Sequence, residues 1–315
     1  EIPAEQVEII LQHLGLQPEK TAEGFRVTSP SFRFDIEIEA DLIEEIGRVY
    51  GYENIPDDYT SGRLKMLALP ETKRPRFAVY NEMAARGYRE VVSYAFVDEQ
   101  WEQDFAANTH PIRLQNPLAA QYAVMRSTLI GGLVEVLQNN LNRKQNRVRV
   151  FEIARVFRKD SANQFVQNER IGGLWYGSVL PEQWGEKTRN VDFYDMKADV
   201  ESLLKNKEVS FVKTEHPALH PGRAANIVSD GKVVGFVGEL HPKWLQKYDL
   251  PQAPLVFEID MDAVLGREKT RYQSVSKFQP ARRDLAFVMP EAVTHDDLLN
   301  ALKAAANKLV QEISV

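Results

Sequence analysis

The sequence predicts an α+β fold, and two observations carry that. Stretches such as RVRVFEIARVF (147–157), RIGGLWYGSV (170–179) and PLVFEIDMDAV (254–264) concentrate β-branched and aromatic residues at strand length. Between them lie segments with apolar residues at helical spacing, over 4–14, 38–50, 76–89 and 127–143. Many antiparallel strands flanked by helices make an α+β domain over roughly 71–272.

The elements follow in order. Val7, Ile9, Ile10 and Leu14 give the first helix, which Gly15 stops. FRVTSPSFRFDI reads as two short extended runs around Ser29-Pro30, and a second helix over about 38–50 ends at Gly51. Helix, turn, strand and helix within 1–60 form a small winged-helix-like pattern. Residues 54–75, rich in proline and polar side chains, read as a linker. In the larger segment, 76–89 is helical, EVVSYAFV is a strand, and a loop leads into the helix at 127–143. A polar turn at 159–169 joins two strands into a long hairpin. DFYDMKADVESLLKN starts a helix, and Asp230-Gly231 is a strong hairpin turn inside AANIVSDGKVVGFVGEL. The stretch 276–315 reads as a strand, RRDLAFVM, a helix over 294–307 and the start of another strand.

Composition sets limits. With 315 residues and 43% hydrophobic content, the chain holds two or three domains with real cores. A net charge of −6 argues against an autonomous nucleic-acid binder. With no cysteine, disulfides, thiolate nucleophiles and cysteine zinc sites are all excluded. No run of about 18 apolar residues exists to span a membrane. The opening Glu1 and the final Leu309–Val315 both read as cuts in a longer protein.

The second helix raises the main chemical question. At about 100° per residue, Asp41, Glu44, Glu45 and Arg48 fall on one face, and Leu42, Ile43, Ile46, Val49 and Tyr50 on the other. Asp35 and Glu37 arrive from the preceding strand. Acids near a helix N-terminus gain about 0.3–1 kcal/mol each from the macrodipole. Two carboxylates about 6 Å apart repel by roughly 1–2 kcal/mol at an effective dielectric near 40. These effects are of similar size, so a solvated acidic face is stable without a cation. Asp35, Asp41, Glu44 and Glu45 are also an all-oxygen donor set of the kind magnesium prefers. Both readings stand on the residues alone.

Other candidates are weaker. His216 and His220 have zinc-ligand spacing, but Pro217 and Pro221 rule out a regular helix, and a loop packed on a sheet is the better reading. VGFVGELHP lacks the glycine order and following helix of a dinucleotide fingerprint. Arg143, Lys144, Arg147 and Arg149 in NRKQNRVRV read as a solvated helix end rather than a phosphate site. Trp175 and Trp184 read as packing residues.

Four stretches together resemble one family, the β subunit of bacterial phenylalanyl-tRNA synthetase. They are VTSPSFRFDIEIEADLIEEIGRVYGYENIP (27–56); NPLAAQYAVMRSTLIGGLVEVLQNNLNR with RVRVFEIARVF; DFYDMKADVESLL with HPALHPGRAANI and VGFVGELHP; and FQPARRDLAFVM (278–289). The resemblance implies a winged-helix-like module over 1–60, a class II synthetase-like core over 71–275 without catalysis, and over 276–315 the start of a ferredoxin-like anticodon-binding domain. It implies a magnesium ion shared with the α subunit, with Asp35, Asp41, Glu44 and Glu45 at the family's acidic positions. Its partners would be two α chains and a second β chain, with tRNA(Phe), in the cytoplasm and away from any membrane. ATP would be a substrate at the α subunit. The core here offers FRKD, with Arg158 and Asp160, in place of a motif-2 Arg-x-Glu, and no late glycine-rich stretch ending in arginine. The family's editing domain lies before this region.

The competing readings are a free-standing winged-helix interaction or nucleic-acid module, which would need a basic helix where 38–50 is acidic, and a metal-dependent hydrolase, which would need a base in a pocket. The helix at 127–143 carries Leu129, Ile130, Leu133, Val136, Leu137 and Leu141, more apolar surface than one side buries, and is expected at a subunit or domain interface.

Overall fold

The computed structural model describes residues 2–57, 59, 61–67, 70–205, 207–272, 274–275 and 277–314. It divides into two units, 1–68 and 69–315.

In the first unit, α1 (Ala4–His13) is followed by a hairpin of β1 (Gln17–Lys20) and β2 (Phe25–Thr28), then α2 (Glu39–Tyr50). Gln17 pairs with Thr28 and Lys20 with Phe25. Gly15 leaves α1 at φ +79° and Gly51 leaves α2 at φ +94°, the left-handed region that stops a helix at little cost for glycine. Ile10, Leu11 and Leu16 form a small core as α1 packs on α2. The predicted apolar face of α2 is only half used, because Ile43 and Val49 stay exposed.

The second unit begins with α3 (Arg76–Ala85), β3 (Arg89–Glu90), β4 (Phe96–Val97), α4 (Glu99–Ala106), β5 (Val124–Met125) and α5 (Ile130–Asn142). The long hairpin is β6 (Val148–Lys159) and β7 (Phe165–Tyr176), followed by α6 (Phe193–Leu203). Then come β8 (Val209–Lys213), β9 (Leu219–Ser229), β10 (Lys232–Leu240), α7 (Pro242–Lys247), β11 (Leu255–Asp260), α8 (Met261–Leu265) and α9 (His295–Ala305). One seven-stranded sheet runs β3-β6-β7-β11-β10-β9-β8, antiparallel except between β3 and β6. Asp230 (φ 52°) and Gly231 (φ 72°) both take positive φ at the β9–β10 turn, as its right-handed twist requires.

Both faces of this sheet are buried, which is why its strands read as nearly continuous apolar runs. Phe151, Ile171, Phe257 and Val237 pack under α3, α6 and α8 with Met83, Met196 and Val264. Val150, Leu174, Val256 and Phe236, an odd number of residues away in each strand and so on the opposite face, pack under α4, α5 and α7 with Phe105, Leu133 and Trp244. Two consecutive glycines in β7 make both approaches close. A Cβ on Gly172 would meet Leu129 at 3.1 Å, and one on Gly173 would collide with the Phe257 ring.

Three expectations change. Leu129, Ile130, Leu133 and Leu137 are fully buried within this unit, against the sheet on one side and Trp101 of α4 at Gly131 on the other, while Val136 and Leu141 are half-buried, so this unit itself covers most of the apolar surface of α5. RRDLAFVM forms no strand among the described residues, since nothing pairs with its backbone, and α9 buries no residue. The linker is shorter than its composition suggests: Lys73 bridges to Gly266, and the Arg74 N–H donates to the Leu265 carbonyl at 2.7 Å.

Candidate functional site

The acidic segment is organised around Arg33. Ser29 Oγ donates to the Arg33 carbonyl at 3.2 Å, fixing the turn after Ser29-Pro30. The Arg33 guanidinium grips Asp35 with two parallel bonds, Nε to Oδ1 at 3.0 Å and Nη2 to Oδ2 at 2.8 Å. Its Nη1 reaches Glu45 Oε2 at 3.3 Å, twelve residues away. Arg48 Nη2 binds the same Glu45 oxygen at 2.9 Å. The hydrogen bond from Arg33 holds the Asp35 carboxyl below its ordinary range, and those from Arg48 and then Arg33 do the same for Glu45.

Asp41 does something else. At the third position of α2 it folds back, and its Oδ2 accepts from the Glu37 and Ile38 backbone N–H groups at 2.8 and 2.9 Å. Ile38, the residue before the helix, has no side chain to cap it, so Asp41 satisfies donors that α2 would leave open. Those two bonds lower its pKa. Glu44 is exposed.

The four predicted acids are therefore close in sequence but divided among three tasks. Among the described residues, no three His, Asp or Glu side chains are grouped so that they could hold a metal ion. The donor chemistry suits magnesium, and in this arrangement the Arg33 guanidinium stands between Asp35 and Glu45. Sequence reasoning missed Arg33, although its place two residues before Asp35 in RFD was available.

In the second unit the long hairpin shapes a cavity of about 600 Å³ on the α4–α5 face of the sheet. Arg158 and Lys159 at the end of β6 border it. Asp160 does not; its carboxylate accepts from the Ala162 and Gln164 N–H groups at 2.9 and 2.8 Å and ties the turn. At the base, Arg170 Nη1 donates to fully buried Glu258 at 2.8 Å. The other Glu258 oxygen accepts from Thr128 Oγ1 at 2.6 Å and from the Leu129 N–H at 2.8 Å, where α5 begins. Glu102 accepts from the Ser127 N–H and from Asn108 Nδ2 at 2.8 and 2.7 Å. Buried carboxylates hydrogen-bonded in this way position their elements rigidly.

His216 stacks on Phe236 with ring centroids 4.1 Å apart. Its Nδ1 accepts from the Ala218 N–H at 3.2 Å, so the neutral ring carries its hydrogen on Nε2. Burial pushes its pKa down to about 4. His220 likewise accepts from the Gly222 N–H, at 3.0 Å. Both histidines are loop and sheet residues, as the proline pattern indicates.

The basic run splits. Arg143 and Lys144 are exposed at the end of α5, but Arg147 donates to the Ser178 and Val179 carbonyls at 3.0 Å, and Arg149 is half-buried against aromatic rings. Trp175 is packed and Trp184 is exposed.

A family model for the phenylalanyl-tRNA synthetase beta chain CLM domain matches residues 55–261. The chain belongs to that family. A second model, the tRNA synthetase B5 domain, matches residues 1–52, the part that holds the acidic helix. A protein of Neisseria meningitidis serogroup B named "Phenylalanine--tRNA ligase beta subunit" is 89% identical over all 315 residues. One of the same name from Chromobacterium violaceum is 55% identical over 312 residues, 99% of the chain. The chain spans 40% of the length of each. A pyrrolysyl-tRNA synthetase from Desulfitobacterium hafniense superposes with a TM-score of 0.44 at 10% identity, over 61% of this chain and 68% of that one, a likeness too distant to carry an argument. Among the described residues, no helix is long and apolar enough to cross a membrane.

Proposed function

We propose that this chain is the scaffold portion of a phenylalanine–tRNA ligase β subunit, the structural partner of a catalytic α subunit in ATP-dependent attachment of phenylalanine to tRNA(Phe). The observation that carries the reading is the succession of two family matches along one chain, B5 at 1–52 and the CLM domain at 55–261, with relatives of that printed name at 89% identity. The reading takes the assembly as two α and two β chains in the cytoplasm, with ATP acting at the α subunit.

On this reading, 1–60 is a winged-helix-like interface module, 71–275 a class II synthetase-like core without catalysis, and 276–315 the start of a ferredoxin-like anticodon-binding domain. A scaffold role is supported by the way buried charges in the core pair with each other. Arg126 meets Glu152 at 3.0 Å and Arg170 meets Glu258 at 2.8 Å, which leaves these ions committed to packing.

Asp35, Asp41, Glu44 and Glu45 remain the proposed magnesium positions, supported by their oxygen chemistry and by their place in the B5 match. When bound, magnesium would supply a positive charge shared between acids of the two subunits. On this proposal Asp35 and Glu45 would exchange the Arg33 guanidinium for the ion, and Asp41 would keep its bonds to the Glu37 and Ile38 N–H groups.

Co-expression with a candidate α subunit, followed by sizing and tRNA(Phe) aminoacylation, tests the reading. A joint complex that charges tRNA, where α alone does not, is expected. The Asp41→Asn/Glu45→Gln pair is expected to weaken assembly in magnesium and to change little without it. Equal charging by α alone overturns the scaffold role; equal assembly of the pair at every magnesium level overturns the metal role.

A further inference from the structure

We infer that the 600 Å³ cavity beside the long hairpin binds a small anion that carries a flat ring, of the class of a nucleoside monophosphate or an aromatic acid. The inference rests on the cavity's own chemistry. Its volume lies within the 300–1,000 Å³ or so of small-molecule sites. No carboxylate lines it, in a chain whose net charge is −6. Three cations do: Arg170 is neutralised by Glu258 and Asp260, Lys159 holds its ammonium 5.5 Å from the Phe165 ring centroid, and neither Arg158 nor Lys159 forms an ion pair among the described residues. Positive charge without a carboxylate beside it, on a concave site, focuses anions there.

The wall opposite supplies a ring surface. The stacked His216–Phe236 pair lines the cavity, and His216 stays neutral at physiological pH, so it offers a flat face and an Nε2–H donor without a further charge. Asn108 and Ser127 are fixed by their bonds to Glu102 and give the site polar atoms of defined position. A cationic rim over an aromatic floor suits a ligand with charge at one end and a plane at the other.

Calorimetric titration of the 315-residue chain with adenosine 5′-monophosphate and with indole-3-acetate tests this, read together with the His216 ring resonances. Adenosine and inorganic phosphate are the single-feature controls. At least one of the two ring-bearing anions is expected to bind, about tenfold or more tighter than either control, and to shift the His216 signals; which one binds decides the ligand class. The Arg158→Gln/Lys159→Gln pair, both at exposed positions, is expected to lose about tenfold or more, and Arg158→Lys/Lys159→Arg to retain binding. The inference is overturned if neither ring-bearing anion binds at millimolar concentration, if phosphate alone binds as well, or if the glutamine pair binds unchanged.

Discussion

Arg149 and Trp175 stand directly opposite each other in the β6–β7 ladder, with the guanidinium carbon 3.5 Å from the indole ring centroid. Tyr88 covers the same cation at 4.4 Å, and Nη2 reaches Asp199, which also takes Arg86 and the Tyr88 hydroxyl. Arg149→Met keeps the stem and removes the charge. It should destabilise the chain by about 2–4 kcal/mol, because Asp199 stays buried with one fewer cation. Urea unfolding followed by tryptophan fluorescence measures it; a loss under about 0.5 kcal/mol would place the arginine among ordinary surface residues.

His216 gives a pH signature. Its folded pKa is about 4 against an ordinary 6.5, because burial disfavours the charged ring. The unfolded chain therefore binds more protons between pH 4 and 6.5. Stability from this group is complete above pH 6.5 and falls as the pH drops towards 4. The loss is at most about 3 kcal/mol. His216→Gln should flatten the unfolding free energy over that window relative to the parent. Parallel curves for the two proteins would contradict the assignment.

Gly173 is a packing requirement. Gly173→Ala should cost about 1–3 kcal/mol by forcing the Phe257 ring out of place. Phe257→Leu in the same chain should recover part of the loss, since it shortens the side chain that the new methyl strikes. Thermal unfolding of the two single variants and the double variant gives the coupling; additive losses would mean that the two sites do not touch.

The chain alone should show no amino-acid-dependent ATP–pyrophosphate exchange. Arg158 borders the cavity, but no carboxylate lines it, so nothing there would hold a metal on a triphosphate. Exchange above background that disappears in Arg158→Ala would make this core catalytic.

Sequence periodicity located most of the fold because both sheet faces are buried, so strands such as 254–260 stand out as apolar runs. It also found the Asp230-Gly231 turn, where backbone sterics demand those residues. It failed where a partner decides the state. RRDLAFVM has strand composition but no neighbouring strand among the described residues, and a lone strand has no ladder to form. The apolar excess on α5 is real, but a sheet with two adjacent glycines absorbs it, and tertiary closeness of that kind leaves no periodic trace. In the acidic segment, charge pattern identified which residues interact, but not with what. Arg33 and Glu45 lie twelve residues apart, beyond any local rule, and their pairing depends on how the turn at Ser29-Pro30 aims the chain.

The sheet order also sets a timetable for synthesis. β11, the last strand made, lies between β7 and β10. Until residues 255–260 leave the ribosome, the β6–β7 hairpin and the β8–β9–β10 meander exist as separate pieces, each with a bare edge facing the other. At about 5–20 residues per second, the β7 edge waits several seconds for its neighbour. Exposed edges of that sort recruit foreign strands. A nascent chain stalled before Leu255 should therefore be a strong client for ribosome-bound chaperones, and one stalled well after Asp260 a weak one.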